Sequence, residues 1–409
     1  MPTREYYLNS DFDLSLRGRP SLLESADATF IHEMAWHYLF AAGPADSLIV
    51  HRPLPEDFLA YLSGKGLPAP RQVLDPSFSP ESLFIPFGWD VHAAGLSLRY
   101  AEPPAHPPLA AVKTANSRAF GLELERALSD GASPEEYGSL HATLESLEIA
   151  LGSALAERSY PSGWVAKGDH GHAATANRRI PFHPLGEEDR RCLRQLFSEH
   201  GRVVLEPWHE RLLDMSVNFT VDPGGAVRDL RGHELVNSRD GAFLGVKIAP
   251  SGLPPEPWLE ELEASAREVA KALDAVGYFG PVSVDAYVWK APEGPRLRAV
   301  VDINARNSMA LPAHGLASRL PGKSLLWMWT KPRKLALPAD YPILDAGLGV
   351  DAFDPASGLG ILAVSPLHRV PVSSNETARP KRVGFLFSAE NEEGLARQQM
   401  AFASALGRR

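Results

Sequence analysis

The stretch RAVVDINARNSMALP, Arg298 to Pro312, sets Asp302, Asn304 and Arg306 at every second position of a run of Val, Ile and Ala. Successive side chains of a strand point to opposite faces, so these three share one face. Val301, Ile303 and Ala305 take the other face and are expected in a core. An acid, an amide and a guanidinium beside a core face suggest a binding site. A solvated outer face is the competing account, and the neighbouring sequence decides between them.

The run just upstream, PVSVDAYVWKAPEGPRL, reads as a partner strand and a turn. With the hairpin centred between Glu293 and Gly294, Asp285 faces Asp302 and Ser283 faces Asn304. Directly opposite Cβ atoms lie about 4.5–5.5 Å apart. Val282, Val284, Ala286 and Val288 then point to the core with Val301 and Ile303, and a slip by one residue would bury the acids. Facing carboxylates repel, so one holds a proton or a cation sits between them. Asp285, Asp302 and Asn304 together offer the oxygen ligands that Mg²⁺ prefers, with room for water or a substrate phosphate. Arg306, one step further, suits a phosphate oxygen. The alternative is that Arg296 or Arg298 pairs the acids on a solvated face. Those arginines lie on the wrong side of the acids to explain Asn304 and Arg306, which favours a metal and phosphate edge.

The whole chain is compatible with such an enzyme. Its 409 residues call for two or three subdomains. A hydrophobic share of 44% and a charged share of 22% are ordinary for a globular protein, with Pro somewhat high at 36 residues. The net charge of −9 argues against nucleic acid or an anionic membrane as the main partner. No apolar run approaches the roughly 20 residues that span a bilayer. The polar start, MPTREYYLNSDFDLSLRGRP, is not a secretory signal. Cys192 is the single cysteine, which excludes an intrachain disulfide and a cysteine-based zinc cluster and fits a reducing cytoplasm. It lies in an amphipathic helix, as a structural thiol.

Residues 1–108 alternate helices and strands: ATFIHEMAWHYLFAA, SLIVHRP, PEDFLAYLSGKGL, RQVLD and SLFIPFGW. That order implies a parallel α/β sheet. The Pro-rich AEPPAHPPL marks a boundary. Residues 109–202 are expected to hold a strand-like LAAVKTANS, helices over Ser117–Ser129 and Pro134–Arg158, the strand GWVAKG, a Gly/His-rich turn, the strand ANRRIPF and the Cys192 helix. Residues 203–409 open with RVVLEPW and turn antiparallel, with a hairpin around Asp222-Pro223-Gly224-Gly225. Near the end, HGLASRLPGKSLLWMWT reads as a helix whose Trp327, Met328 and Trp329 are core. KRVGFLFSAENEEGLARQQMAFASALG supplies a last strand and helix.

Lys113 and Lys167 close strand-like runs before polar turns, where an ammonium can join backbone N–H groups around a phosphate. Glu206 ends an apolar strand in VVLEPW, where it could read a flat heterocycle. Each pattern alone is common. Their order is not: an α/β domain, a Lys segment, helices, a second Lys strand with a small loop, Glu-Pro-Trp, an antiparallel sheet, VSVDAYV and VVDINARNSM. This order resembles the ATP-grasp superfamily, over roughly Leu109 to Pro312, with the N-terminal domain matching in type only. DINAR resembles the Glu/Asp-x-Asn-x-Arg motif of its carboxylate–amine ligases, with Asp302 where Glu is commoner.

That resemblance implies ATP clamped between two subdomains with antiparallel sheets. Lys113 and Lys167 would contact its phosphates, Glu206 and Trp208 the adenine, and Asp214 the ribose. Asp285, Asp302 and Asn304 would hold Mg²⁺ or Mn²⁺. Arg306 would face the γ-phosphate or an acyl phosphate, and Arg231 an acceptor carboxylate or the transferred phosphoryl group. His170 and His172, in the loop after Lys167, are candidates for phosphate contacts or lid closure, against a plain exposed-loop role. Arg239 and Asp240 are candidates for a substrate carboxylate and amine. The implied reaction is ADP-forming amide or peptide bond formation through an acyl phosphate, on amino acids or short peptides. A kinase acting on a small-molecule hydroxyl and a non-catalytic ATP sensor are the rivals. A cytoplasmic location and a homodimer are the default expectations.

Overall fold

The computed structural model describes residues 3–22, 28–79, 81–129, 137–157, 163–171, 176–181, 184–368 and 379–407. Its N-terminal sheet contains β1 (Thr3–Tyr7), β2 (Ser47–Ile49), β3 (Arg71–Val73) and β4 (Ser82–Pro86). The order is β3-β2-β1-β4, with every pairing parallel. The expected parallel α/β domain is therefore present. Its helix Ala28–His37 packs toward the rest of the chain.

A small antiparallel sheet follows: β5 (Ser139–His141), β6 (Trp164–Gly168), β7 (Asn177–Ile180) and β8 (Val203–Pro207), in the order β5-β8-β6-β7. It has its own core of Leu147, Leu151, Trp164, Leu193 and Leu205. Three expectations change here. LAAVKTA is the helix Leu109–Ala115 rather than a strand; its alanines carry the highest helix propensity. The helix expected over Pro134–Arg158 is divided, with β5 first and the helix Leu144–Glu157 after it. β8 pairs with β5 and β6, so it joins the small sheet although the sequence division at residue 203 grouped it with the third part.

The third sheet has eight strands, in the order β13-β12-β9-β10-β11-β14-β16-β15. These are β9 (Arg211–Val221), β10 (Val227–Asn237), β11 (Phe243–Ile248), β12 (Gly280–Ala291), β13 (Gly294–Asn304), β14 (Ser324–Thr330), β15 (Gly360–Ala363) and β16 (Val383–Ala389). One continuous core joins this sheet to the N-terminal domain. The helix Leu311–Arg319 ends before Pro321-Gly322, and Gly322 has φ +76°. The tryptophan-rich run after it is therefore strand β14, as its β-branched and aromatic neighbours favour, and not a continued helix.

The hairpin that carries the acids departs from a regular ladder. Ala291 pairs with Gly294, so the turn is centred between Pro292 and Glu293, one residue earlier than the sequence suggests. Between Asp285 and Tyr287 the register shifts by a bulge that adds two residues on β13. Beyond it Asp285 faces Asp302, Val284 faces Ile303 and Ser283 faces Asn304. The expected facing pair is present, although the expected turn centre is not. The bulge also re-aims one residue: Val300 enters the core, while Val301, expected there, lines the cleft.

Candidate active site

A cavity of about 430 Å³ opens among the small sheet, the eight-stranded sheet and the N-terminal domain. Lys167 and Asn177 line it from the small sheet, Asp285, Asp302 and Asn304 from the large one, and Asp13, Met34 and Phe87 from the N-terminal domain. Lys167, Arg306, Trp208, Asp214 and the three candidate metal ligands thus share one cavity.

The large sheet sets its polar residues in rows. His233 pairs with Ser216, Ser216 with Asp285 and Asp285 with Asp302, across four adjacent strands. Burial first, and then the Asp302 charge, push the Asp285 carboxyl up to about 6. Asn304 Nδ2 donates to Asp285 Oδ2 at 3.3 Å, and Arg306 Nη2 donates to Asn304 Oδ1 at 3.0 Å. The Arg306 guanidinium lies 4.8 Å from the centre of the Phe87 ring and its Nε 3.6 Å from Asp13 Oδ1. Among the described residues that Nε has no hydrogen-bond partner, so a donor remains at the end of the row.

Asp302 is half-exposed to the cleft and paired on its inner side. Arg118 Nε and Nη2 donate to its two oxygens at 3.1 and 3.2 Å. The same guanidinium donates to the carbonyls of Gly168, at 2.5 Å, the last residue of β6, and of Gly171, at 3.1 Å, just beyond it. Arg118 opens the helix Arg118–Leu128, an end of a helix where a cation is unfavourable unless anions compensate. Asp302 is one, and Asp169 is the other: it accepts from Ser117 Oγ at 2.7 Å and from Ala119 N at 3.1 Å. Sequence reasoning overlooked Arg118. The available signal was an arginine placed directly after a Ser N-cap.

Lys167 Nζ sits 2.8 Å from Glu206 Oε2, and Arg298 Nη1 sits 2.9 Å from the same oxygen. Arg298 also forks onto Glu125 with two bonds of 2.7 Å and reaches Tyr287 Oη at 3.1 Å and Tyr137 O at 2.8 Å. Burial pushes Glu206 up, but Arg298 and Lys167 outweigh it and hold the group at about 2. Burial raises Glu125 to about 7 against the pull of Arg298. No local pattern marks this network, because its members come from six separate segments of the chain.

Several expected site residues lie elsewhere. Lys113 is exposed on its helix and lines a second cavity of about 360 Å³ with Arg17, Asp169, His170, His200 and Arg202. Arg118 takes the place in the main cleft that was expected of Lys113. Glu206 is buried and does not line the cleft, since Lys167 and Arg298 hold it. Trp208 does line it, with the Arg179 and Arg211 guanidinium groups 4.4 and 5.0 Å from its ring centre. Asp214 lines it too, 2.8 Å from Arg211 Nη1. Arg231 is exposed and outside the cleft; it lies two positions before His233, which lines the cleft in its stead. Arg239 and Asp240 are exposed at the turn joining β10 and β11, and only their neighbours Asn237, Gly241 and Ala242 reach the wall. His172 falls outside the described residues. Trp329, expected wholly in the core, forms part of the wall.

The donor set fits a magnesium ion on its chemistry. Among the described residues no three His, Cys, Asp or Glu converge on a metal position. Two carboxylates and an amide are nonetheless hard oxygen donors, and Mg²⁺ is usually held by one or two carboxylates plus water and substrate phosphates. Burial and then the Asp302 charge raise the Asp285 carboxyl, and the Arg118–Asp302 bond would have to yield to an ion.

No protein-family model matches the chain, and no curated protein matches it in sequence. Solved structures do. The chain is similar to N5-carboxyaminoimidazole ribonucleotide synthetase from Thermus thermophilus, with 15% identity and a TM-score of 0.53 over 100% of this chain and 99% of that one. It is similar to phosphoribosylamine–glycine ligase from Thermotoga maritima, with 10% identity and a TM-score of 0.54 over 99% and 97%. It is also similar to the biotin carboxylase domain of the Hydrogenobacter thermophilus 2-oxoglutarate carboxylase, solved with MgADP and bicarbonate, with 13% identity and a TM-score of 0.51 over 99% and 90%. At such identities the likeness carries the fold. The chain has the ATP-grasp fold that the order of its motifs resembles.

Proposed function

We propose that the cleft binds Mg·ATP and joins a carboxylate to an amine through an acyl phosphate, releasing ADP and phosphate. The observation that carries this reading is the facing pair Asp285 and Asp302, continued by Asn304 and Arg306 on one face, with Lys167 and Arg118 lining the same cleft. The solved neighbours include a glycine ligase and a structure holding MgADP and bicarbonate, which supports the same class of chemistry.

In this reading Lys167 and Arg118 hold phosphate oxygens, Trp208 offers an aromatic face to adenine and Asp214 accepts from the ribose. Mg²⁺ held by Asp285, Asp302 and Asn304 would neutralise charge on the phosphates. Arg306 donates to the phosphoryl group as it moves to the substrate carboxylate. Phosphorylation turns a carboxylate oxygen into a leaving group, so the amine forms the C–N bond as phosphate departs. Arg118 ties the carbonyls after β6 to the cleft, and Lys167 sits on that strand; together they would keep the small sheet closed against water. Amino acids or short peptides are the proposed substrates, residues 109–207 the proposed lid, and a homodimer in the cytoplasm the proposed state.

The test is ADP release from Mg·ATP with a pool of amino acids, followed by mass spectrometry. A product equal to two pool members less water is expected. Phosphorylated species without condensation would replace the ligase by a kinase. ATP binding without turnover on any carboxylate and amine offered would replace it by a sensor. Asp302→Ala is expected to abolish turnover.

A further inference from the structure

The parallel sheet of the N-terminal domain meets the cleft at its carboxyl edge. β1 has β2 on one side and β4 on the other, both parallel to it. In open sheets of this kind, ligands bind in the crevice beyond the carboxyl ends of such neighbours. The short helix Phe12–Ser15 follows β1 and Phe87 follows β4, and Asp13 and Phe87 both line the cleft. The place is held firmly. Asn9 Nδ2 donates to Gly88 O at 2.9 Å, and Gly88 N donates back to Asn9 Oδ1 at 3.1 Å. A Cβ on Gly88 would stand 2.5 Å from the Phe12 ring, so the approach requires glycine. Asn307 N donates to Phe87 O at 2.8 Å and its Nδ2 to Pro86 O at 2.9 Å, which docks the residues after β13 on the same edge.

Asp13 is 7% exposed, yet among the described residues no hydrogen bond reaches its carboxylate. Its ion-pair partner is Arg306 Nε, at 3.6 Å, which is beyond hydrogen-bond range. Arg306 gives its other donors to Asn304 Oδ1 and Asn307 O, at 3.0 and 3.1 Å. Arg118 and Arg17 also feel the Asp13 charge, but Arg118 donates to Asp302, Gly168 and Gly171, and Arg17 to Glu199. A carboxylate this buried is costly until donors meet its lone pairs, and the cleft is the side from which they can come.

We infer that Asp13 binds the α-ammonium of an amino acid whose carboxylate lies on Arg306, so that the acyl donor is a single amino acid with an unblocked amine rather than a peptide. This rests on the ligase reading of the same cleft and names its acyl donor. One carbon separates ammonium from carboxylate in such a substrate, which suits an acid and a guanidinium set side by side. The zwitterion brings no net charge into the site. Its ammonium supplies Asp13 with charged hydrogen bonds, and its carboxylate offers Arg306 Nε an acceptor. The γ-phosphoryl group passes to a carboxylate oxygen as ADP leaves, while the ammonium keeps its protons and takes no part in bond formation. An acid without the ammonium would reach Arg306 and leave Asp13 unmet.

The test starts from melting curves of the full chain, with MgADP present, against each common α-amino acid of either hand. The amino acid that raises the melting temperature most is then titrated calorimetrically beside its 2-hydroxy acid, which replaces only the ammonium by a hydroxyl. The amino acid is expected to bind at least about tenfold more tightly, the size of one charged hydrogen-bonded contact. Asp13→Asn should erase that preference while MgADP affinity stays unchanged. A residue that merely steadied Arg306 would weaken both ligands alike in Asp13→Asn, and that result overturns the inference. So does an absence of binding by every amino acid, an equal affinity of the 2-hydroxy acid, or a preference that survives in Asp13→Asn. Failure of the ligase reading looks different: the amino acid binds with the Asp13-dependent preference, yet forms no amide when Mg·ATP and amines are supplied.

Discussion

Two arginines meet carboxylates beside the cleft, and they do so in opposite ways. Arg298 is 1% exposed and spends its donors on Glu125, Glu206, Tyr287 and Tyr137, all inside the protein. Arg118 is buried as well, but its partner Asp302 has a side chain 28% exposed to the cleft and faces a second acid. The first network is closed, and removing any member leaves a buried charge. The second is open on one side, and a cation entering from the cleft can take over the carboxylate. An ion pair therefore marks scaffold or chemistry according to whether its acid has a route to ligand. The pKa directions agree: two cations hold Glu206 at about 2, while burial and Asp302 push Asp285 to about 6.

Substitutions can break this contrast in graded steps. Arg298→Ala strands Glu125 and Glu206, so denaturant unfolding should show a loss of about 3–5 kcal/mol. An equal loss in Arg118→Ala would erase the distinction. Arg306→Ala should lower turnover by about 10²–10³-fold, the size of one oxyanion donor, with little change in melting temperature. Asp285→Asn should act in reverse on stability. A folded carboxyl raised from 3.8 to about 6 binds its proton more tightly than the unfolded one, so its contribution falls as pH rises through that window. Without metal the variant should be more stable than the parent above pH 6, by at most about 3 kcal/mol, and equal to it near pH 3.5. Glu206→Gln should give the opposite trend, its stability deficit shrinking as pH drops from 4.5 toward 2. Arg191→Ala, which breaks only the exposed pair with Glu188, should change stability by less than about 1 kcal/mol.

Much of the fold was legible because it rests on local pattern. Alternation marked β9, β10, β12 and β13, and an amphipathic pattern marked the Cys192 helix Glu187–His200. The site was legible where one strand carried several members, as for Asp302, Asn304 and Arg306. It failed where membership depends on which distant elements meet. Arg298 was dismissed as an outer-face residue, yet Glu125 and Glu206 enclose it from a helix and a separate sheet. Lys113 was read as strand, and its helix turns it away from the cleft. Trp329 alternates like a core residue, and only the approach of Met34 and Arg382 makes it a wall.

The two added residues in β13 have a consequence for how the hairpin tolerates changes in length. Removing both would let the regular ladder run from Ala291–Gly294 outward and still set Asp285 against Asp302. Removing one would rotate Asp302, Asn304 and Arg306 together onto the buried face. Length variation here obeys parity: even changes leave the chemistry aligned, and odd ones abolish the cleft face in a single step.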